Sequence, residues 1–281
     1  MRSRIPHQPL HPVPAASWPA PGLRVNRGMT FLRHAYEYCV LYGGLFLFGL
    51  SFFVWSAAAT VLYHLLPRRF GARVGQSTIM WLFRGCIGAM KASGIVKIDL
   101  SALDALRKEG ALIIAPNHPS MLDAVLVGSR LPRVVCIMKA DIWDNLILGG
   151  GARLAGYIRD DCPFTMIRAA TATLRSGNQL LMFPEGTRTR QKGHYHFKGG
   201  FAFIAKTARV PVQTVFIETN SPFLGKGWSL FKKPVFPLIY RARLGRRYEV
   251  NGDIKTAVRE LEGYFGDTLK TGSAVHVDTR D

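Results

Sequence analysis

The stretch Ala111-Leu112-Ile113-Ile114-Ala115-Pro116-Asn117-His118-Pro119-Ser120-Met121-Leu122-Asp123 decides how this chain reads. Its first six residues are an apolar run short enough for a buried strand, and the polar residues after them end it. A histidine at the end of a strand with a carboxylate five residues on has the parts of a general base. One ring nitrogen takes a proton while the carboxylate holds the other. A helix through both would not align them, because five steps of about 100° leave Asp123 roughly 140° from His118. The pair meets only if His118 lies in the turn entering a helix and Asp123 in its first turn. Pro119, with a fixed φ and no N–H, suits such a start. Without a second signal, a lone histidine is more often structural.

The second signal comes some sixty residues later. Gln179 to Phe183 reads as a short buried strand ended by Pro184, and Glu185-Gly186-Thr187-Arg188 forms a polar loop at its carboxyl end, where α/β sheets place ligands. The guanidinium of Arg188 is a planar fork of donors suited to phosphate. Ala111 to Pro116, Val134 to Met138 and Val212 to Ile217 are further strand candidates. Asp123 to Ser129, Phe164 to Ser176, Gly199 to Ala208 and Asp253 to Lys270 have helical periodicity. Strands alternating with helices predict an α/β fold, a mostly parallel sheet flanked by helices. The chain has no repeat, GxGxxG or P-loop, so no nucleotide cofactor is implied.

Asn117-His118-Pro119-Ser120-Met121-Leu122-Asp123 and Phe183-Pro184-Glu185-Gly186-Thr187-Arg188 together resemble the first and third motifs of the glycerolipid and lysophospholipid acyltransferase family, which includes bacterial 1-acyl-glycerol-3-phosphate acyltransferases. The resemblance runs from about Gly94 to Thr219. It implies that His118 deprotonates an acceptor hydroxyl, that Asp123 orients it, and that Glu185, Gly186, Thr187 and Arg188 form the acceptor head-group site. Two motifs depart from the pattern. Leu154-Ala155-Gly156-Tyr157-Ile158-Arg159-Asp160-Asp161 brings its arginine early with two acids behind it, and Arg159 is the phosphate contact implied there. Val210-Pro211-Val212-Gln213 ends in Gln where a second Pro is usual, which permits an altered acceptor, such as an amino-acid lipid or a specialised polyene lipid. Lys139 corresponds to a lysine placed near the oxyanion or the donor, a solvated lysine being the alternative. Ser120 has no second base in the sequence to activate it, so direct transfer is expected. No metal or cofactor is implied, only acyl-CoA or acyl-carrier protein as co-substrate.

Composition sets the surroundings. A net charge of +19 and a pI near 10.3 call for an anionic partner, whether lipid headgroups, an acidic carrier protein or nucleic acid. The four cysteines show no CxxC or zinc-like spacing, which fits a reducing compartment and no structural metal. Residues 1–22 hold six prolines and little periodicity, and residues 1–37 read as a disordered leader. Tyr38 to Tyr63 runs 26 residues without Lys, Arg, Asp or Glu, enough to span a bilayer, with Gly43, Gly44 and Gly49 allowing a kinked or re-entrant path instead. Ser77 to Val96 is apolar except for Arg84 and Lys91. It suits an interfacial helix with Trp81, Phe83 and Met90 toward lipid, or a helix packed on the catalytic domain.

Residues 38–96 therefore read as a membrane-associated helical module and 97–281 as the catalytic domain. Arg24, Arg27 and Arg33 before the apolar run and Arg68, Arg69 and Arg73 after it place both ends on the cytoplasmic side, where acyl thioesters are found. The expected location is the cell inner membrane with the catalytic domain facing the cytoplasm. Ser221 to Arg247 carries seven Lys and Arg and no acid, interleaved with Phe223, Trp228, Phe231 and Phe236. That mixture suits an interfacial belt better than a nucleic-acid groove in a chain that already holds a long apolar segment, a solvated strand edge being the plainer reading. The sequence predicts a membrane-bound O-acyltransferase working on membrane lipids and a lysophospholipid acceptor, with no nucleic-acid partner. A non-catalytic basic lipid-binding or nucleic-acid-binding protein is the rival class.

Overall fold

The computed structural model describes residues 27–145, 148–189, 195–230 and 232–274. By contacts the chain divides into Met1–Tyr36 and Glu37–Asp281. Helix α1 (Arg27–Leu65) already occupies residues 27–37, so the expected leader is helical there, and its first 26 residues lie outside the described ones. The glycines at 43, 44 and 49 do not break it. A glycine costs about 1 kcal/mol relative to alanine but keeps its N–H in the ladder, so the helix runs uninterrupted for 39 residues, about 58 Å. Among the described residues it is the one helix long and apolar enough to cross a membrane.

Pro67 interrupts the hydrogen-bond ladder, and helix α2 (Arg68–Ala92) follows. It stops four residues short of the expected end, because Val96 opens a strand. The helix packs against the segment around Ala155: Gln76 Nε2 donates to the Ala155 carbonyl at 3.1 Å, and Gly75 and Ile79 are buried. Phe83 stacks on Phe52 at 5.3 Å and Met90 packs against the core, so only Trp81 of the three aromatic and Met side chains expected toward lipid is exposed. A β-carbon on Gly75 would lie 2.6 Å from the Ala155 nitrogen, so the two backbones meet there because the side chain is absent.

The rest alternates as expected. Strand β1 (Val96–Asp99) leads through a 3₁₀ segment (Ser101–Lys108) to β2 (Ile113–Pro116), α3 (Leu122–Gly128) and β3 (Val134–Lys139). Two short helices, α4 (Ala140–Trp143) and α5 (Gly149–Leu154), precede β4 (Ile158–Asp160). Then come α6 (Pro163–Arg175), β5 (Gln179–Leu181), α7 (Gly200–Ala208), β6 (Val212–Thr219), β7 (Leu238–Tyr248) and α8 (Ile254–Ala274). The seven strands form one sheet in the order β1-β7-β6-β2-β5-β3-β4, parallel except between β6 and β7. From β2 the chain moves outward through α3 and returns through α6 and α7. Right-handed crossovers therefore put α3 on one face, with α2 and α5, and α6 and α7 on the other, with α8.

The basic stretch is corrected by β7. Leu238, Tyr240 and Ala242 alternate inward and the cations between them pair with acids: Arg241 with Asp99 at 3.8 Å, Arg243 with Glu218, and Arg247 with Glu109 at 3.3 Å. Four of its seven cations are thus strand residues, three of them paired, and not a continuous belt. Lys226, Lys232 and Lys233 remain in the loop before β7, with Lys232 over the Trp228 ring at 4.9 Å. Phe231 lies outside the described residues.

The Gly75 contact gives a paired test. Gly75→Ala is expected to cost about 1–3 kcal/mol through overpacking. Gly85→Ala, whose β-carbon meets nothing within 4 Å, should gain up to about 1 kcal/mol from helix propensity. Thermal unfolding of both variants in the same detergent checks the sign of each.

Candidate active site

The fully buried β2 delivers Asn117 and His118 to the carboxyl edge of the sheet. Asn117 is 4% exposed, and its amide binds β6 twice: Nδ2 donates to the Ile217 carbonyl at 2.9 Å and Oδ1 accepts the Ile217 N–H at 2.7 Å. The chain then leaves the sheet, and α3 begins at Leu122. Asp123 therefore sits in the first turn, where the spacing required it, while Pro119 lies in the preceding bend and not at the helix start itself.

His118 Nδ1 and Asp123 Oδ2 are 2.9 Å apart. The imidazole keeps 16% of its surface and the carboxylate none. Asp123 Oδ2 also accepts the Ser120 N–H at 2.8 Å, while Oδ1 has no hydrogen-bond partner among the described residues. Burial pushes the Asp123 carboxyl above the ordinary range, against the opposing pull of His118 and the Ser120 N–H. As long as Asp123 is ionised, a neutral His118 carries its proton on Nδ1 and leaves Nε2 as the basic nitrogen. The Phe183 ring stacks on the imidazole at 3.8 Å.

The second motif grips the backbone of the first. Glu185 Oε1 accepts the His118 N–H at 3.1 Å and the Thr189 hydroxyl at 2.8 Å, and the Thr189 N–H donates to the His118 carbonyl at 2.8 Å. Burial raises the Glu185 carboxyl, with the Thr189 hydroxyl and the His118 N–H opposing. Gly186 has φ +63°, and a β-carbon there would lie 2.8 Å from Lys198 Cε, so the left-handed turn and the overlying lysine stem both require glycine. Thr187 is half-buried in the same turn. Arg188 Nη1 donates to the carbonyls of Leu224 at 3.0 Å and Gly225 at 2.8 Å.

A third wall escaped the sequence reading. Ser120 Oγ donates to the Phe223 carbonyl at 2.9 Å and the Met121 N–H to that of Leu224 at 3.1 Å, so the turn at 222–225 is bound by both motifs. Leu224 itself sits at φ +56°, an uncommon conformation for a residue with a branched side chain. Lys198, over Gly186, is the other residue the sequence did not signal.

Two expected site residues lie elsewhere. Arg159 on β4 pairs with Asp144 at 3.2 Å and Asp161 at 3.0 Å, two strands from β5 at the sheet edge. Those two acids, one of them just behind it in the sequence, pair with the guanidinium, so a phosphate at Arg159 would compete with them. Lys139 is exposed at the end of β3, in register with Asp160, and makes no contact with the His118 pair among the described residues. Gln213 is buried at the opposite end of β6 from the site. Its Nε2 donates to the Gly245 carbonyl at 2.8 Å and its Oε1 accepts Arg247 Nε at 3.2 Å, so that departure from the fourth motif serves the β6–β7 pairing. The described residues hold no group of three or more His, Cys, Asp or Glu that could bind a metal.

Residues 97–218 match the family profile described as Acyltransferase. The mouse 1-acyl-sn-glycerol-3-phosphate acyltransferase alpha is 29% identical over 129 residues, 43% of this chain and 45% of that one. A Helicobacter pylori 1-acyl-sn-glycerol-3-phosphate acyltransferase is 26% identical over 157 residues, 53% of this chain and 65% of that one. The chain spans about half the length of the animal relatives it matches. The crystal structure of the 1-acyl-sn-glycerophosphate acyltransferase PlsC from Thermotoga maritima superposes with a TM-score of 0.63 at 18% identity, over 90% of this chain and all of that one. At that identity the likeness establishes the shared fold.

Asn117 offers a test of how the site is held. Asn117→Ala leaves the Ile217 N–H and carbonyl without their partners, and a loss of about 1–3 kcal/mol is expected for each buried group left unpaired. Asn117→Asp keeps the acceptor but sets a carboxylate oxygen against the Ile217 carbonyl in a buried position, so it should lose at least as much as Asn117→Ala. Chemical denaturation of the two variants beside the parent measures the order.

Proposed function

We propose that this chain, whose residues 97–218 match the Acyltransferase profile, belongs to the glycerolipid acyltransferase family and transfers a fatty acyl group from a thioester to a hydroxyl of a lysophospholipid-like acceptor. The observation that carries the reading is the His118–Asp123 contact of 2.9 Å, desolvated on the carboxylate side and open on the imidazole side, beside the Glu185–Arg188 turn. Neutral His118 takes the acceptor hydroxyl proton on Nε2 as the oxygen attacks the thioester carbonyl. Asp123 stabilises the imidazolium that forms. The C–S bond then breaks, and the thiolate leaves with little assistance before taking the proton from His118. One acyl group and one proton change places, with no covalent enzyme intermediate.

The acceptor we favour is 1-acyl-glycerol-3-phosphate, in phospholipid biosynthesis, with acyl-CoA or acyl-carrier protein as donor. Arg188 supports it: Nη1 is spent on the 224–225 carbonyls, and the Nε–Nη2 edge keeps the fork geometry a phosphate needs. Lys198 adds a second cation at the same turn. An amino-acid lipid or polyene-lipid acceptor is the alternative within the same chemistry. The long apolar helix supports attachment to a membrane, and we place the enzyme at the cell inner membrane with its site on the cytoplasmic side, where the thioesters are made.

His118→Ala is expected to abolish acyl transfer, and Asp123→Asn to lower the rate by about 10²- to 10⁴-fold with the fold intact. Mass-spectrometric detection of diacyl product from lysophosphatidic acid and each thioester checks both. Near-normal turnover by folded His118→Ala would end the mechanism.

Arg188→Ala should raise the acceptor KM by about tenfold or more and leave the thioester KM alone, with Arg188→Lys an incomplete substitute. Steady-state kinetics with both substrates varied separates the two constants. Unchanged acceptor constants would turn the preference to an acceptor without phosphate.

A further inference from the structure

Between α2 and the segments that follow β1 and α3 lies a cavity of about 260 Å³ whose lining mixes apolar side chains with cations. Arg84, Gly88 and Lys91 of α2 form one wall, and Ile98, Leu100 and Arg130 form the other. Among the described residues no Asp or Glu lines it. Its volume falls below the roughly 300–1,000 Å³ of sites for drug-sized ligands, which suits a phosphate group and not a nucleotide.

The charges in this cavity are not balanced. Arg130 is engaged, since Nε donates to Asp104 Oδ1 at 3.0 Å and Nη2 pairs with Oδ2, which leaves Nη1 uncommitted. Arg84 has no such acid. It is half-buried and makes no hydrogen bond or ion pair among the described residues, its guanidinium lying over the Trp81 ring at 5.0 Å. Asp99, the acid that feels the Lys91 charge, takes the Ser101 hydroxyl at 2.7 Å and faces Arg241 at 3.8 Å. The Ser129 hydroxyl, also in the lining, is spent on the Leu126 carbonyl, so recognition here is by charge. A half-buried guanidinium beside the buried Ile87, Ile98 and Leu100 costs free energy unless an anion accompanies it.

The place of these cations on α2 indicates where the anion comes from. Trp81, Arg84, Gly88 and Lys91 recur at spacings of three and four residues, within an arc of about 80° of the helix surface. Trp81 is 62% exposed at one end of that stripe. Phe83 stacks on Phe52 of α1, and α1 leaves Phe46, Leu47 and Val54 each more than half exposed. An aromatic ring and cations in one stripe beside an exposed apolar helix match the layer where lipid headgroups meet their chains, and inorganic phosphate gains nothing from the apolar part. A β-carbon on Gly88 meets nothing within 4 Å, so the helix leaves the cavity open where a side chain would enter it.

We propose that this cavity binds the phosphate of an anionic membrane phospholipid, with Arg84 and Lys91 as its counter-charges, Arg130 Nη1 closing it, and the acyl chains running out along the α1–α2 pair. The site lies beyond the far end of α3 from Asp123, about 10 Å of helix away, and is distinct from the Glu185–Arg188 turn. A lipid held there ties α2 to the segment just after α3.

The full chain in detergent micelles is titrated with phosphatidylglycerol, with phosphatidylcholine of the same chains and with inorganic phosphate. Bound lipid is counted by native mass spectrometry, and thermal unfolding checks that each variant is folded. Arg84→Gln/Lys91→Gln should weaken the tightest phosphatidylglycerol site by about tenfold or more, while Arg168→Gln/Arg175→Gln on α6, which removes the same charge elsewhere, should change it by less than about twofold. Gly88→Leu fills the cavity and keeps every charge, and should weaken that site as the double variant does. Phosphatidylcholine should bind less tightly than phosphatidylglycerol, and excess inorganic phosphate should not displace the lipid. A folded Arg84→Gln/Lys91→Gln or Gly88→Leu protein with the parent's affinity would overturn the proposal. An equal loss in the α6 variant would do so too, by showing attraction through net charge alone. Equal binding of phosphatidylcholine would mean that only the chains are held, and displacement by inorganic phosphate that the ligand is the free ion; either result overturns it. The measurement needs no turnover, so its outcome is independent of the acyl-transfer reading.

Discussion

His118 is held by its backbone from both sides, its N–H by the Glu185 carboxylate and its carbonyl by the Thr189 N–H. What sets the place of the ring is a pair of bonds to its main chain from a segment 67 residues away in sequence. Such a lock makes the two motifs one object. Glu185 reaches His118 only because β5 lies next to β2, and β2 keeps its register because Asn117 ties it to β6. Preorganisation of this kind fixes the imidazole beforehand, without the entropic cost of ordering it when a ligand arrives.

The arrangement carries an electrostatic cost. Asp123 is buried and Glu185 half-buried, and they are near enough for the Asp123 charge to raise Glu185 further. Carboxyls whose folded-state pKa lies above the unfolded value stabilise the fold while protonated. That contribution is present below the ordinary carboxylate pKa and is lost as pH rises through the folded values. Ionising the pair therefore opposes folding, and the donors around it, the His118 N–H and the Thr189 hydroxyl on Glu185 and the Ser120 N–H on Asp123, limit the penalty.

The dyad and the strands that carry it were legible because their signals are local: an apolar run, a break, and a carboxylate at a spacing that only one turn geometry satisfies. The four strands expected were found, shifted by a few residues. What escaped was masked by charge. The strands β1 and β4, Val-Lys-Ile-Asp and Ile-Arg-Asp, lack the apolar run that marks β2 and β5 of the same lengths, and the alternation of β7 is hidden by arginines whose acids sit on other elements. The turn at 222–225 enters the site through backbone carbonyls, which leave no mark in the sequence. Of the two acids that pair with Arg159, Asp161 stands beside it in the sequence and Asp144 is brought there only by the fold.

The basic loop, read from composition as a surface belt, is better described as a strut. Lys233 is paired with Glu37 of α1 at 2.5 Å and lies over the Tyr38 ring at 4.9 Å, while the earlier part of the same loop is bound by Arg188 and Ser120. Glu37 is 4% exposed, and a carboxylate that deeply placed demands a cation in return. The apolar run of α1 starts at the next residue, so the last charge before it is consumed inside the protein. This loop thus contacts the base of the apolar helix at one end and the Glu185–Arg188 turn at the other. The position of the site relative to that helix is set by side-chain pairing as well as by the path of the chain.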